Sequence, residues 1–101
     1  MKASNRGGVP HVFREAITTA GRYHGWPFWS KYLIIRVADF PCKVYFTKED
    51  FDADENYILV PVAAAATPYG EIQGPFETEG VHLKGSGGTS TVELVAFQRR
   101  G

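Results

Sequence analysis

The 101-residue sequence predicts a mainly β fold, a small antiparallel β-sandwich or barrel with a polar N-terminal arm and room for one short helix. Three observations point there. Runs rich in branched and aromatic residues recur at short intervals, most clearly KYLIIRVA over Lys31–Ala38 and PCKVYFT over Pro41–Thr47. Turn-forming residues separate these runs, as short strands require. The composition, 44% hydrophobic and 22% charged, is that of a globular chain with material for one modest core.

Residues 1–9 (MKASNRGGV) are polar and weakly basic and read as an arm outside the core, leaving 10–101 as a single β domain. Residues 10–20 are the best helix candidate. Pro10 suits the first helical position and Gly21 the C-cap, and Val12, Phe13, Ala16, Ile17 and Ala20 share one helical face. Against this, Ile17, Thr18 and Thr19 are β-branched, and an extended segment tolerates the same residues. The runs at 31–38 and 41–47 are expected to reverse tightly at Asp39–Phe40, just before Pro41. In the second run Cys42, Val44 and Phe46 alternate with Lys43, Tyr45 and Thr47, the pattern of a strand with one buried face. Asn56–Val62 reads as a third strand, which Pro61 places at a sheet edge or cuts short. Residues 63–75 read as a long connection. Phe76–Lys84 and Thr91–Arg99 are expected to pair as a final hairpin around GSGGTS. The last strand carries apolar groups on both faces, so it belongs at the centre of a sheet.

The formal net charge is zero, which argues against binding nucleic acid through a global positive charge. The charges are segregated along the chain, net +6 over residues 1–48 and net −8 over residues 49–79. Such blocks either pair within the fold or suit docking between neighbouring copies. With Cys42 as the single cysteine, the chain makes no internal disulfide or thiolate cluster. No apolar run has the length of a membrane span, and the N-terminus has no signal-peptide apolar core, so synthesis in a cytoplasm and no membrane partner are expected.

The acidic stretch Glu49–Glu55 (EDFDADE) places Asp50, Asp52 and Asp54 as the first three ligands of a calcium loop would stand. Glu55 then occupies the position that loop needs for glycine, and Pro61 the position of its bidentate glutamate. A solvated turn with Phe51 tucked inward fits better. His11, His24 and His82 lack metal-ligand spacing, Ser86 sits in no nucleophile elbow, and the GSGG segment lacks a phosphate-loop lysine. Cys42 alternates with apolar positions, which favours inert burial. Glu71, Glu77 and Glu79 offer carboxylates but no feature selects a pair. The expectation is a non-enzymatic protein without metal or cofactor.

Tyr23, His24, Trp26, Phe28, Trp29 and Tyr32 form the densest aromatic group. Such rings fill a core, anchor a protein interface, or stack on sugars.

The stretch VYFTKEDFDADENYILVPV, followed after a glycine-containing break by GVHLKGSGGTSTVELVAFQRRG, resembles small virion proteins of tailed bacteriophages over roughly the C-terminal two thirds of the chain. The resemblance implies a head decoration (cement) protein. That is a β-sandwich or barrel, often a homo-trimer, that binds the major capsid protein or other virion subunits and ends in the virion after synthesis in the host cytoplasm. On this reading Lys2, Arg6 and the arm reach to a neighbour. Tyr23, Trp26, Phe28 and Trp29 form an apolar contact, and Arg99 and Arg100 a charged terminal clamp. Plain surface or core placement is the alternative for each. The runner-up function is a carbohydrate- or receptor-binding β module using the Trp26/Trp29 rings. A small hydrolase with paired glutamates ranks last, because a domain of this size would need an inter-subunit pocket.

Overall fold

A computed structural model describes residues 8–62 and 70–99. Two four-stranded antiparallel sheets, packed as a sandwich, bury the apolar runs. The elements are β1 (Gly8–Ile17), β2 (Arg22–Gly25), β3 (Ser30–Ala38), β4 (Cys42–Tyr45), α1 (Lys48–Ala53), β5 (Ile58–Val60), β6 (Gly70–Gly74), β7 (Gly80–Gly85) and β8 (Ser90–Arg99). One sheet has the order β1-β8-β3-β6, the other β2-β7-β4-β5.

The core is what period-two alternation delivers. Leu33, Ile35 and Val37 of β3 and Val92, Leu94 and Ala96 of β8 line the inner face of the first sheet, all fully buried. Cys42 and Val44 of β4, Val60 of β5, and Val81 and Leu83 of β7 answer from the second. Ile17 and Trp26 close the cluster. The central position of the last strand is as expected, with β1 on one side of β8 and β3 on the other. Likewise β5 lies at an edge, just before Pro61.

Several expectations fail, each for a physical reason. Residues 10–20 are not a helix. They belong mostly to β1, which pairs with β8 from Gly8↔Arg99 to Ile17↔Ser90. The alternation there is masked because β1 is an edge strand whose inward row, His11, Phe13, Glu15 and Ile17, mixes polar with apolar groups. Its polar members find partners at the rim: His11 hydrogen-bonds Gln98 at 3.0 Å, and Glu15 pairs with Arg22 at 2.9 Å. Gly21 does adopt a positive φ of 81°, but in the turn from β1 to β2 and not as a helix cap.

The final hairpin is also absent. β7 and β8 lie in different sheets, so the GSGGTS segment crosses the sandwich. The Asp39–Phe40 reversal does the same, joining β3 to β4 across the two sheets. Residues 70–74 of the expected connection form β6, paired with β3. The acidic turn is helix α1, capped by Thr47, whose hydroxyl accepts from the Asp50 amide at 3.1 Å. Strand β1 begins at Gly8, within the 1–9 segment expected as an arm; residues 1–7, with Lys2 and Arg6, lie outside the described residues, as do Arg100 and the Arg99 side chain.

Ser30 and Ser90, both fully buried, tie down the two ends of the sandwich. Ser90 Oγ lies 2.6 Å from Phe40 O and 2.7 Å from Pro41 O. Ser30 Oγ lies 2.7 Å from Thr78 O and 3.1 Å from Phe76 O.

Candidate functional site

The Ser30 end carries an open recess. Between β2 and β3 the chain runs through Trp26, Pro27, Phe28 and Trp29, and between β6 and β7 through Pro75, Phe76, Glu77 and Thr78. Three bonds to Thr78 O clamp these segments together: the Ser30 amide at 2.8 Å, the Ser30 hydroxyl at 2.7 Å and the Trp26 indole Nε1 at 3.2 Å. The Trp26 amide adds a bond to Glu79 O at 3.0 Å. A register shift at Lys31, between the pairs Ser30↔Gln98 and Tyr32↔Phe97, lets Ser30 face inward while Tyr32 faces outward. The result is an open hollow of about 430 Å³ lined by Trp29, Phe46, Pro75, Phe76, Glu77 and Thr78. Phe46 and Phe76 form its apolar floor, ring centroids 5.3 Å apart.

The predicted aromatic cluster divides. Trp26 is 5% exposed and stacks on Phe13 at 5.8 Å, so it is core and not a platform. Phe28 is half-buried between His11 and Trp26. Trp29 is 54% exposed at the hollow. Tyr23 is also exposed, but it lies on the outer face of the second sheet against His82, at 4.6 Å. The sequence singled out Trp29, and Glu77 only among candidate carboxylates, but missed Phe46, Pro75, Phe76 and Thr78, which line the hollow with them. The one local signal for them is the GPFETEG segment, where glycine and proline hold an aromatic residue in a turn.

Helix α1 covers the outer face of the second sheet. Phe51 packs on Tyr45 at 5.4 Å and His82 at 5.2 Å, and Lys84 Nζ lies 4.8 Å from its ring centroid. Its carboxylates point to separate partners: Asp50 accepts from Asn56, Asp52 from Lys48, and Asp54 from Lys43 and Tyr45. They form no joint cation cage, and no group of three metal-binding side chains occurs among the described residues. Of the glutamates considered for acid–base work, Glu71 pairs with Arg36 at 3.3 Å, while Glu77 lines the hollow.

Burial pushes the Cys42 thiol up to about 11, as suits an inert packing residue. Burial and then the bond to Asp54 raise Tyr45, while the bonds from Tyr45 and then Lys43 hold Asp54 below the usual carboxylate range. A depressed carboxylate stabilises the fold above its unfolded value, about 3.9, and that contribution is lost as pH falls through the folded value. Stability measured by urea unfolding is therefore expected to decline below about pH 4. Asp54→Asn should be less stable than the parent at pH 7 and should show a shallower acid decline. An unchanged acid limb would remove Asp54 from that account.

Neither the protein-family models nor the curated proteins compared with this chain match it.

Proposed function

We propose that this chain is a structural binding protein of the virion, a head decoration protein that seats on assembled capsid subunits through the end bearing the Trp29 hollow. One observation carries the reading: the exposed apolar recess lies at the end of the sandwich where β1 begins and β8 finishes. Gly8 pairs with Arg99, and Val9 and Ser30 both pair with Gln98. Strand β1 thus begins and β8 finishes beside Trp29, and the proposal assigns Lys2 and Arg6, which precede β1 in sequence, to the same contact. An exposed aromatic anchor above an apolar recess is suited to docking on a repetitive protein surface. The resemblance to tailed-phage virion proteins supports the same partner, the major capsid protein or another virion subunit.

Function in this reading is mass action, without chemistry. A protein that binds the assembled shell and not its free subunits stabilises the shell, by about 2.7 kcal/mol per site at a hundredfold excess over Kd. The test is to add the purified chain to phage heads stripped of it and to measure occupancy by sedimentation. Saturable binding is expected, weakened roughly tenfold by deleting residues 1–7, a cut that leaves every β1 pair intact. Unchanged binding by the deletion would remove the arm from the interface. No binding to heads would overturn the reading.

A second reading, a carbohydrate- or receptor-binding module, is favoured by Trp29 alone. It is exposed above an open recess with Glu77 at hand, as a sugar-stacking ring would be. Trp26, buried in the core, has no part in it.

A further inference from the structure

The outer face of the first sheet carries a pattern independent of the Trp29 hollow. Read across β1-β8-β3-β6, one row is Arg14, Glu93, Arg36, Glu71. These side chains form a continuous ladder, with Arg14–Glu93 at 2.8 Å, Arg36–Glu93 at 3.2 Å and Arg36–Glu71 at 3.3 Å. The adjacent row is Val12, Val95, Ile34, Gln73. Beyond it, Phe97 meets Tyr32 edge-on at 5.9 Å. Val12 is 56% exposed, and Ile34 and Val95 are half-buried on a face with no covering element among the described residues.

A row that alternates in sign over four strands is complementary to its own reversal. A two-fold axis parallel to the strands, between β8 and β3, sets β1 of one copy over β6 of the other and β8 over β3. Arg14 then faces Glu71 of the second copy and Glu93 faces Arg36, so every position meets its opposite charge. The same operation sets Val95 against Ile34 at the centre, while Phe97, only 7% exposed, is already covered within one copy. Stacked sheets cross at about 30°, so the match is best at the centre, where Glu93, Arg36, Val95 and Ile34 stand. With four outward rows on β1, β8 and β3 and two on β6, at about 4.8 Å between strands, the face covers roughly 450 Å² per copy. The pair buries roughly 900 Å², the size of a weak, concentration-dependent association.

We infer that this face is the interface of a symmetric two-fold dimer of the chain. The trimer implied by the resemblance would need unlike patches to meet, whereas this pattern joins like faces. The inference stands apart from the decoration reading, since the purified chain tests it alone.

The experiment is sedimentation velocity of the full chain over a concentration series, with a charge exchange. The parent should approach twice its 11.2 kDa mass at high concentration. Arg14→Glu and Glu71→Arg should each weaken association about tenfold, because each substitution acts twice across the axis. The double variant should recover most of the loss. Arg14 and Glu71 stand on opposite edges of the sheet, so recovery cannot arise within one copy, where the exchange disrupts the ladder at both ends. Far-ultraviolet circular dichroism verifies the fold of each variant. A parent that stays monomeric overturns the inference, as does a dimer indifferent to the single changes or a double variant no better than the weaker single. A monomer that dimerises only after residues 1–7 are deleted overturns it too, and assigns the face to the chain's own arm.

Discussion

Trp26→Ala is expected to lower folding stability by about 3–5 kcal/mol, the cost of removing a large buried aromatic residue. The loss has three parts: the stack on Phe13, membership of the buried apolar cluster, and the indole bond to Thr78 O. That last bond also helps hold residues 75–78 over the hollow, so its loss should loosen the recess as well as the core. At about 4–8 °C per kcal/mol for a chain near this size, calorimetry should record a fall in Tm of more than about 10 °C. Trp29→Ala should cost less than about 1 kcal/mol, since its ring is already half in water. Equal effects at the two positions would contradict the division of the aromatic cluster into core and surface.

Gly85→Ala is expected to be nearly as damaging, for a different reason. Its backbone is pressed between the β1–β2 turn and the β7–β8 crossing. An added methyl group would meet Ile17 O at 2.7 Å and press on Gly88 O. Both neighbours are backbone, and the Gly85 amide is itself bonded to Thr18 O at 2.9 Å. No side-chain rotation relieves the clash, so about 3 kcal/mol, the upper part of the overpacking range, is expected in urea unfolding. A neutral result would show that the crossing yields, and would weaken the claim that close approach at Gly85 holds the two sheets together there.

The strands that could be read from the sequence are those with one apolar face and no competing signal. KYLIIRVA and the alternation of Cys42 and Val44 gave β3 and β4 directly, and the two-faced apolar pattern placed β8 at a sheet centre. Strand β1 was hidden because His11 and Glu15 occupy inward positions at an open rim, where Gln98, Arg22 and His24 satisfy them. Its residues also fit a helical face, and local pattern does not decide between the two. Helix α1 was missed although Thr47 with Asp50 three residues on is a capping arrangement; the density of aspartate suggested a turn instead. The crossings at Asp39–Phe40 and at residues 86–89 were beyond local reading, because a short polar link serves a hairpin or a change of sheet equally well.

The same limits apply to the site. Trp29 could be named but not separated from Trp26, because burial of two rings three residues apart depends on what packs over each. Here Phe13 and Thr78 O claim one and leave the other exposed. The charge blocks do pair within the fold, at least in part: Lys43 with Asp54, Lys48 with Asp52 and Arg36 with Glu71. Only the strand order turns Arg14, Glu93, Arg36 and Glu71 into an alternating row, so that pattern cannot be seen in one dimension.

The central claim is that Trp29 and its hollow are the contact with an assembled shell. The most direct measurement is the affinity of the parent chain and Trp29→Ala for stripped phage heads, run beside an immobilised glycan panel. The account predicts saturable binding of the parent to heads, a loss of at least about tenfold for Trp29→Ala with a stability loss below about 1 kcal/mol, and no glycan bound. Head binding that survives the substitution would move the contact elsewhere on the chain. Glycan binding abolished by it, with no affinity for heads, would contradict the account and establish the sugar-binding reading.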